Sequence, residues 1–207
     1  MFTGIVQATG RIVAVDELGA GKRVRVDAPG FDLADVKIGE SIAINGACMT
    51  VTDVNADAFC FDVSAESLSK TSGLDRIGDV NLEKAMRFGD RIDGHLVSGH
   101  VDATGTVITF EQRAESWLLV VEAPPALARY FAHKGSVAIN GVSLTVNQVE
   151  DILETPALTG CRLYINLIPH TIAVTTLKDL RPGARVNLEV DMLARYIERM
   201  LPERLRD

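Results

Sequence analysis

The feature that most constrains this chain is that it repeats itself. Residues 41–51, SIAINGACMTV, return as residues 136–146, SVAINGVSLTV, at a spacing of 95, with seven of the eleven positions identical. The same spacing aligns TGIVQATGRI (3–12) with SGHVDATGTV (98–107), and VDAP (26–29) with VEAP (121–124). Further on, VNLE at 80–83 recurs at 186–189, a spacing of 106. The added length falls largely in Glu150–Gly160, which reads as a longer turn. Three blocks in one register mean a duplicated domain, and the period is far above the roughly 20–50 residues of a solenoid repeat. The 207 residues therefore divide into two domains of about 100 residues rather than one large one. The expected division is 1–90, 91–189 and a tail at 190–207, with the boundary near Phe88–Gly94, where FGDRIDG carries charge and Gly but no core pattern.

Each copy reads as β. Short runs rich in β-branched residues fall at Arg11–Val15, Arg23–Val26, Ser41–Ile44, Thr50–Val54, Phe59–Val63 and Asp79–Leu82. Turn signals separate them at Leu18–Gly21, Ala28–Gly30 and Asn45–Gly46. Asn-Gly is the strongest short hairpin signal because both residues tolerate positive φ, and it occurs in both copies, at Asn45–Gly46 and Asn140–Gly141. About six short strands in such a length predict a small antiparallel barrel or sandwich rather than a βαβ fold. Helical turns are expected at Gly30–Lys37 and Pro125–Lys134. After the second copy, Met192, Leu193, Tyr196, Ile197, Met200 and Leu201 recur at three- and four-residue intervals, an amphipathic helix that Pro202 should end or kink. Such a helix either packs on its own barrel or serves self-association.

Composition excludes several partners. A net charge of −7 argues against nucleic acid or an anionic membrane surface, whose phosphates need clustered Lys and Arg. No apolar run approaches the roughly 20 residues of a membrane span. The opening MFTGIVQATG lacks the basic and apolar regions of a secretory signal. Cys48, Cys60 and Cys161 are odd in number and widely separated, which suits a reducing compartment. The chain reads as cytoplasmic.

Several catalytic motifs fail. Gly19-Ala20-Gly21-Lys22 resembles the end of a phosphate loop, but Asp16 stands where Gly is required and Arg23 where Ser or Thr is required. His95 and His100 are five apart, without a zinc-ligand pattern around them, so no metal is expected. No GxSxG elbow accompanies Ser143. What survives is a pair of equivalent polar strands: Cys48 and Thr50 follow the first Asn-Gly, Ser143 and Thr145 the second. Alternate strand residues share a side, so each pair can face one way, beside backbone that can hydrogen-bond a flat heterocycle. His100 breaks the symmetry, standing where Ile5 stands in the first copy, and is a candidate for proton chemistry near neutral pH.

Together MFTGIV, GHLVSGHVD, NGACMTV with NGVSLTV, and LIPHT followed by TTL resemble the riboflavin synthase α-chain family, in order and spacing, over nearly the whole chain. Met49, where leucine is more usual, and the long Glu150–Gly160 turn are departures. The resemblance implies an all-β fold of two tandem, similar six-stranded antiparallel Greek-key barrels, each lumazine-binding, plus a C-terminal α-helix that forms a homotrimer. It implies conversion of two molecules of 6,7-dimethyl-8-ribityllumazine into riboflavin and 5-amino-6-ribitylamino-uracil by four-carbon transfer, with no cofactor or metal. It also implies association with lumazine synthase.

Carried over by position, the first pocket comprises Gly4, Ile5 and Val6, Ser41, Cys48, Met49 and Thr50, and Asp62, Val63, Ser64, Ala65, Glu66 and Ser67. The second comprises Gly99, His100 and Val101, Lys134, Ser143, Leu144 and Thr145, and Asn166, Leu167, Ile168, Pro169, His170 and Thr171. The family's site lies between the first barrel of one subunit and the second barrel of its neighbour. His100, Ser143 and Thr145 are the candidates for proton transfer, Cys48 for a nucleophile or pocket wall, Asp191 for a relay or for shaping the site, and Phe2 for closing over a bound ring. The rival readings are a non-catalytic lumazine or flavin holder and a duplicated interaction module. Retention of NG-x-x-x-TV in both halves favours the enzyme.

Overall fold

The computed structural model describes residues 1–154 and 157–201. The first copy supplies β1 (Ala8–Leu18), β2 (Gly21–Asp27), β3 (Ser41–Ile44), β4 (Ala47–Val54), β5 (Ala58–Val63), α1 (Ala65–Lys70) and β6 (Gly78–Lys84). They close into an antiparallel barrel in the order β1-β2-β5-β4-β3-β6, with β6 returning to β1. The second copy supplies β7 (Ala103–Arg113), β8 (Ser116–Ala123), α2 (Pro125–Ala128), β9 (Ser136–Ile139), β10 (Val142–Glu154), β11 (Ala157–Leu167), α3 (Pro169–Val174) and β12 (Arg185–Val190). These close in the same circular order. The tail is α4 (Met192–Met200).

All six strand signals of the first copy lie inside observed strands. The strands run longer than the apolar pattern because main-chain pairing continues where side chains turn polar, as in Asp16↔Arg23 through Leu18↔Gly21. Inward residues fill each barrel separately: Ile12, Val24, Ile42, Val51, Phe59, Phe61 and Leu82 in the first, Val107, Leu119, Val137, Val146, Leu163, Ile165 and Leu188 in the second.

Three expectations need correction. Gly30–Lys37 forms turns, with Phe31 N donating to Ala28 O and Val36 N to Leu33 O, but no helix. Its apolar residues Phe31, Leu33 and Val36 are spent on the core of the first barrel. In Pro125–Lys134 the helix covers only Pro125–Ala128. Glu150–Gly160 is not a longer turn. Both arms keep pairing as a ladder from Glu150↔Arg162 to Glu154↔Ala157, so the added length extends a hairpin. Pro202 lies outside the described residues.

The barrels are joined through their equivalent turns. Asn45 and Asn140 take φ of 46° and 47°, Gly46 and Gly141 of 82° and 78°. A Cβ on Gly46 would lie 2.7 Å from Gly141 N, and one on Gly141 would lie 2.7 Å from Gly46 N. The Asn-Gly pair thus makes the hairpin and also lets two backbones touch. Around it Asn81 Nδ2 donates to Asn140 O at 2.9 Å, and Asn187 Nδ2 to Asn45 O at 2.9 Å. Buried polar groups are therefore matched across the joint. On another side Phe2 and Val97 pack with Ala43 and Ala138, one residue from each barrel's short third strand.

Candidate active site: two openings completed by crossed straps

In each barrel the same two strands part. Pairing of β4 with β5 runs only as far as Val51↔Phe61. Beyond it, Cys48, Met49 and Thr50 pair with β3 alone, and Asp62 and Val63 with β2 alone. Pairing of β10 with β11 stops equally at Val146↔Ile165. Ser143–Thr145 then pair only with β9, and Asn166 and Leu167 only with β8. A register shift next to each parting, between Val51 and Asp53 and between Val146 and Gln148, marks a bulge that turns the strand. The result is a slot in each wall whose two main-chain edges face one another without bonding. Such edges need partners, and a planar ring carrying amide-like groups can supply them. Strand alternation turns Cys48 and Thr50 outward and Met49 into the core.

Each slot is finished by a strap from the other half of the chain. Cys48 N donates to Gly99 O at 2.8 Å, and Ser143 N donates to Gly4 O at 2.8 Å. Val101 packs on the first core and Val6 on the second. Gly4 and Gly99, at φ of 74° and 81°, permit the approach, since an added Cβ would come within 2.7 Å of Ser143 Cβ or 2.6 Å of Cys48 Cβ. The sequence grouping is therefore corrected: Gly4, Ile5 and Val6 lie with Ser143–Thr145, and Gly99, His100 and Val101 lie with Cys48–Thr50. Alignment assigns a segment to the copy that contains it, and two straps that cross reciprocally leave that alignment unchanged.

Two buried glutamates fasten the straps. Glu83 Oε1 accepts from Thr3 N and Thr3 Oγ1, both at 2.7 Å, and its Oε2 from Gly4 N at 3.0 Å. Glu189 repeats the arrangement with Ser98 N, Ser98 Oγ and Gly99 N at 2.6, 2.7 and 2.9 Å. Burial raises both carboxyls above the ordinary range, and the strap donors oppose that rise.

The slots differ in their polar groups. At the first, Asp62 takes a two-point ion pair from Arg23 at 2.8 and 2.9 Å, and that hydrogen bonding lowers its pKa. Ser64 caps α1 by accepting from Ser67 N at 3.1 Å, leaving Ala65 and Glu66 exposed. At the second, Asn166 accepts from Ser116 Oγ at 2.8 Å, and Ile168 precedes Pro169 without a side-chain cap. Leu167 is buried, Leu144 and Thr171 half-buried, and His170 and Thr145 exposed. Lys134, at φ 64°, donates its main-chain N–H to Val146 O at 2.7 Å and has an exposed side chain. Ser41 pairs with Thr50 and lines a cleft of about 580 Å³ on the first barrel's rim with Gln7, Asp35, Lys84 and Arg87. That cleft reaches no other residue of the proposed site.

His95, set aside in sequence as a failed metal ligand, stands at the second slot. Its Nδ1 is 2.7 Å from Ser143 Oγ, and its buried Nε2 has no partner among the described residues. Burial lowers its pKa, against a smaller opposing pull from Asp191. Asp191 also caps α4, accepting from Leu193 N at 2.9 Å. His100 is exposed on the strap at the first slot. Phe2 is 0% exposed, and its ring packs between the barrels with Val97, Ala43 and Ala138. Among the described residues no three His, Cys, Asp or Glu are grouped to hold a metal. Sequence reasoning missed Glu83, Glu189 and His95. The glutamates had a signal, a charged residue duplicated at the end of the same apolar run.

Residues 3–85 and 98–191 each match the family described as lumazine binding domain. The riboflavin synthase of Photobacterium phosphoreum is 45% identical over 203 residues, covering 97% of this chain and 89% of that protein. The chain belongs to the riboflavin synthase family. The riboflavin synthases of Mycobacterium bovis and Escherichia coli are 42% and 40% identical, over 97% and 92% of this chain and 98% and 87% of their own lengths. Among solved structures, LumP complexed with riboflavin is similar at a TM-score of 0.78 and 25% identity, covering 92% of this chain and 99% of LumP. LumP complexed with 6,7-dimethyl-8-(1'-D-ribityl) lumazine gives 0.77 at 24% identity, with the same coverage, a likeness of fold. The two family matches coincide with the two barrels, so the duplication is of the binding unit itself.

Proposed function

We propose that this chain catalyses the riboflavin synthase reaction, in which one molecule of 6,7-dimethyl-8-ribityllumazine gives a four-carbon unit to a second. The products are riboflavin and 5-amino-6-ribitylamino-uracil. Their atoms together equal those of the two substrates, so the reaction consumes no co-reactant. The observation that carries the reading is the pair of equivalent slots, at Cys48–Thr50 with Asp62–Ser67 and at Ser143–Thr145 with Asn166–Thr171. Two like substrates need two like pockets, and holding the rings together makes the encounter effectively intramolecular. The free main-chain edges suit the pyrimidinedione, and Glu66 and its hydroxyl neighbours suit the ribityl chain.

Proton transfer at the donor's 7-methyl is assigned to Ser143 with His95. A histidine kept neutral by burial can take the proton of the hydroxyl that lies 2.7 Å from its Nδ1. Asp191 shapes this pair through its charge and its cap on α4. His100 and Thr145 remain candidates for a second proton transfer, and Cys48 for a nucleophile or a pocket wall. A LumP-like role as chromophore holder is the second reading. Identities of 37–45% to riboflavin synthases, against 24–25% to LumP, favour catalysis.

The assembly proposed is a homotrimer built by α4, with each site between the first barrel of one subunit and the second barrel of the next. Leu193, Tyr196, Ile197 and Met200 form an exposed stripe on α4, Met200 at 82%. Ion pairs Arg195–Asp102 and Arg129–Glu198 tie the other side of the helix to its own chain. Free Cys48, Cys60 and Cys161 agree with a cytoplasmic setting. Among the described residues no helix is long and apolar enough to cross a membrane.

Thr50→Trp blocks the first slot and Thr145→Trp the second, both at exposed positions. Each variant alone should be inactive, whereas mixing and reassembling them should restore activity, because some interfaces then join two open slots. Mixed trimers without activity would overturn the intersubunit site.

A further inference from the structure

We infer that Glu83 and Glu189 are crossed positioning residues for the reaction: each is rooted in one barrel and holds the strap that completes the other barrel's slot. This rests on the reading that the slots bind the lumazine rings.

The two carboxylates stand one residue before the ends of β6 and β12 and are only 4% and 2% exposed. Each accepts three strap donors, two on one oxygen and one on the other. The bonds continue into the opposite half. From Glu83 they pass through Thr3 and Gly4 to Ser143 N, and Thr3 O also accepts from His95 N at 3.1 Å. From Glu189 they pass through Ser98 and Gly99 to Cys48 N. The first clasp thus holds the main chain of both His95 and Ser143, while the second holds only Cys48. Only a carboxylate can accept at both oxygens. A glutamine presents an N–H to a strap N–H, leaves buried donors facing each other, and displaces the strap. The damage then appears at the far slot, because the near barrel keeps its own ladder.

The test uses the full chain, methyl-labelled, titrated with riboflavin and read by NMR at Met49 for the first slot and Leu144 for the second. Glu83→Gln should weaken binding at Leu144 by about tenfold, leave Met49 within about twofold, and lower kcat, since the pair at Ser143 shifts. Glu189→Gln should give the mirror image in binding, with a smaller effect on kcat. Loss at the near slot, equal loss at both, or no loss overturns the crossed assignment. If the glutamine variants fail to fold, Thr3→Val and Ser98→Ala, which each remove one clasp hydroxyl, must show the same crossing at smaller size; its absence is equally decisive. If riboflavin shifts neither methyl in the unaltered protein, the reading of the slots falls, and the crossed assignment with it.

Discussion

Replacing Phe2 by alanine separates a packing role from a ligand-capping one. The ring is 0% exposed and touches Val97, Ala43 and Ala138, while its main chain exchanges hydrogen bonds with Val97 at 2.8 and 3.0 Å. Truncating a buried phenylalanine costs about 3–5 kcal/mol. The upper half of that range applies here, because the cluster around the ring includes the buried alanines Ala43 and Ala138, whose methyl groups are too short to refill the space. A domain pair of this size loses about 2–4 °C of Tm per kcal/mol, so the melting temperature should fall by roughly 8–20 °C. The ring also lies against the Gly99 strap, where an added Cβ would be 2.8 Å from Phe2 Cε2. Riboflavin affinity should therefore drop together with stability, and Phe2→Leu should recover most of both. Calorimetry and a fluorescence titration on the same samples give the two quantities. Lost affinity with Tm within about 2 °C of the unaltered protein would refute the packing account and return Phe2 to the ligand.

Gly141→Ala places a Cβ 2.7 Å from Gly46 N at a φ of 78°. Left-handed strain of about 1–2 kcal/mol and overpacking of about 1–3 kcal/mol should lower stability by about 2–5 kcal/mol in urea unfolding, and an unchanged midpoint would contradict the backbone contact. Buried His95 sets a pH slope. Its folded pKa lies below the ordinary 6.5, so as pH falls below 6.5 the unfolded chain binds a proton first and stability declines until His95 itself is protonated. Glu83 and Glu189 act in the opposite sense lower down: their raised folded values make acidification toward 4.5 stabilising. His95→Gln should flatten the decline below 6.5, and an unaltered slope in urea titrations across that window would remove His95 as its source.

Much of the fold was legible because the signals are local. Asn45–Gly46 and Asn140–Gly141 announce hairpins by their tolerance of positive φ. Alternation along Phe59–Val63 and the β-branched run Ser41–Ile44 mark barrel walls, and the spacing from Met192 to Leu201 marks a helix. The equivalent strands bearing Cys48, Thr50, Ser143 and Thr145 were legible from duplication. What stayed hidden depends on partners far away in sequence. The crossing of Gly4 and Gly99 swaps like for like and leaves no asymmetry to read. Phe2 precedes the repeat and meets its partners only when both barrels are built. His95 falls in the connection between the copies, where no repeat position flags it, and its significance comes from lying 2.7 Å from Ser143 across 48 residues of sequence. The Glu150–Gly160 insertion lacked an alternation to distinguish paired arms from a turn.

A protein with two like pockets should bring two molecules of one substrate into a single reaction. The decisive measurement mixes the protein with 6,7-dimethyl-8-ribityllumazine alone and follows substrate and both products by absorbance, fluorescence and chromatography. One riboflavin and one 5-amino-6-ribitylamino-uracil should form for every two lumazines consumed, with nothing else added. Tight, stable binding of lumazine with no riboflavin formed would contradict it and make the chain a chromophore holder.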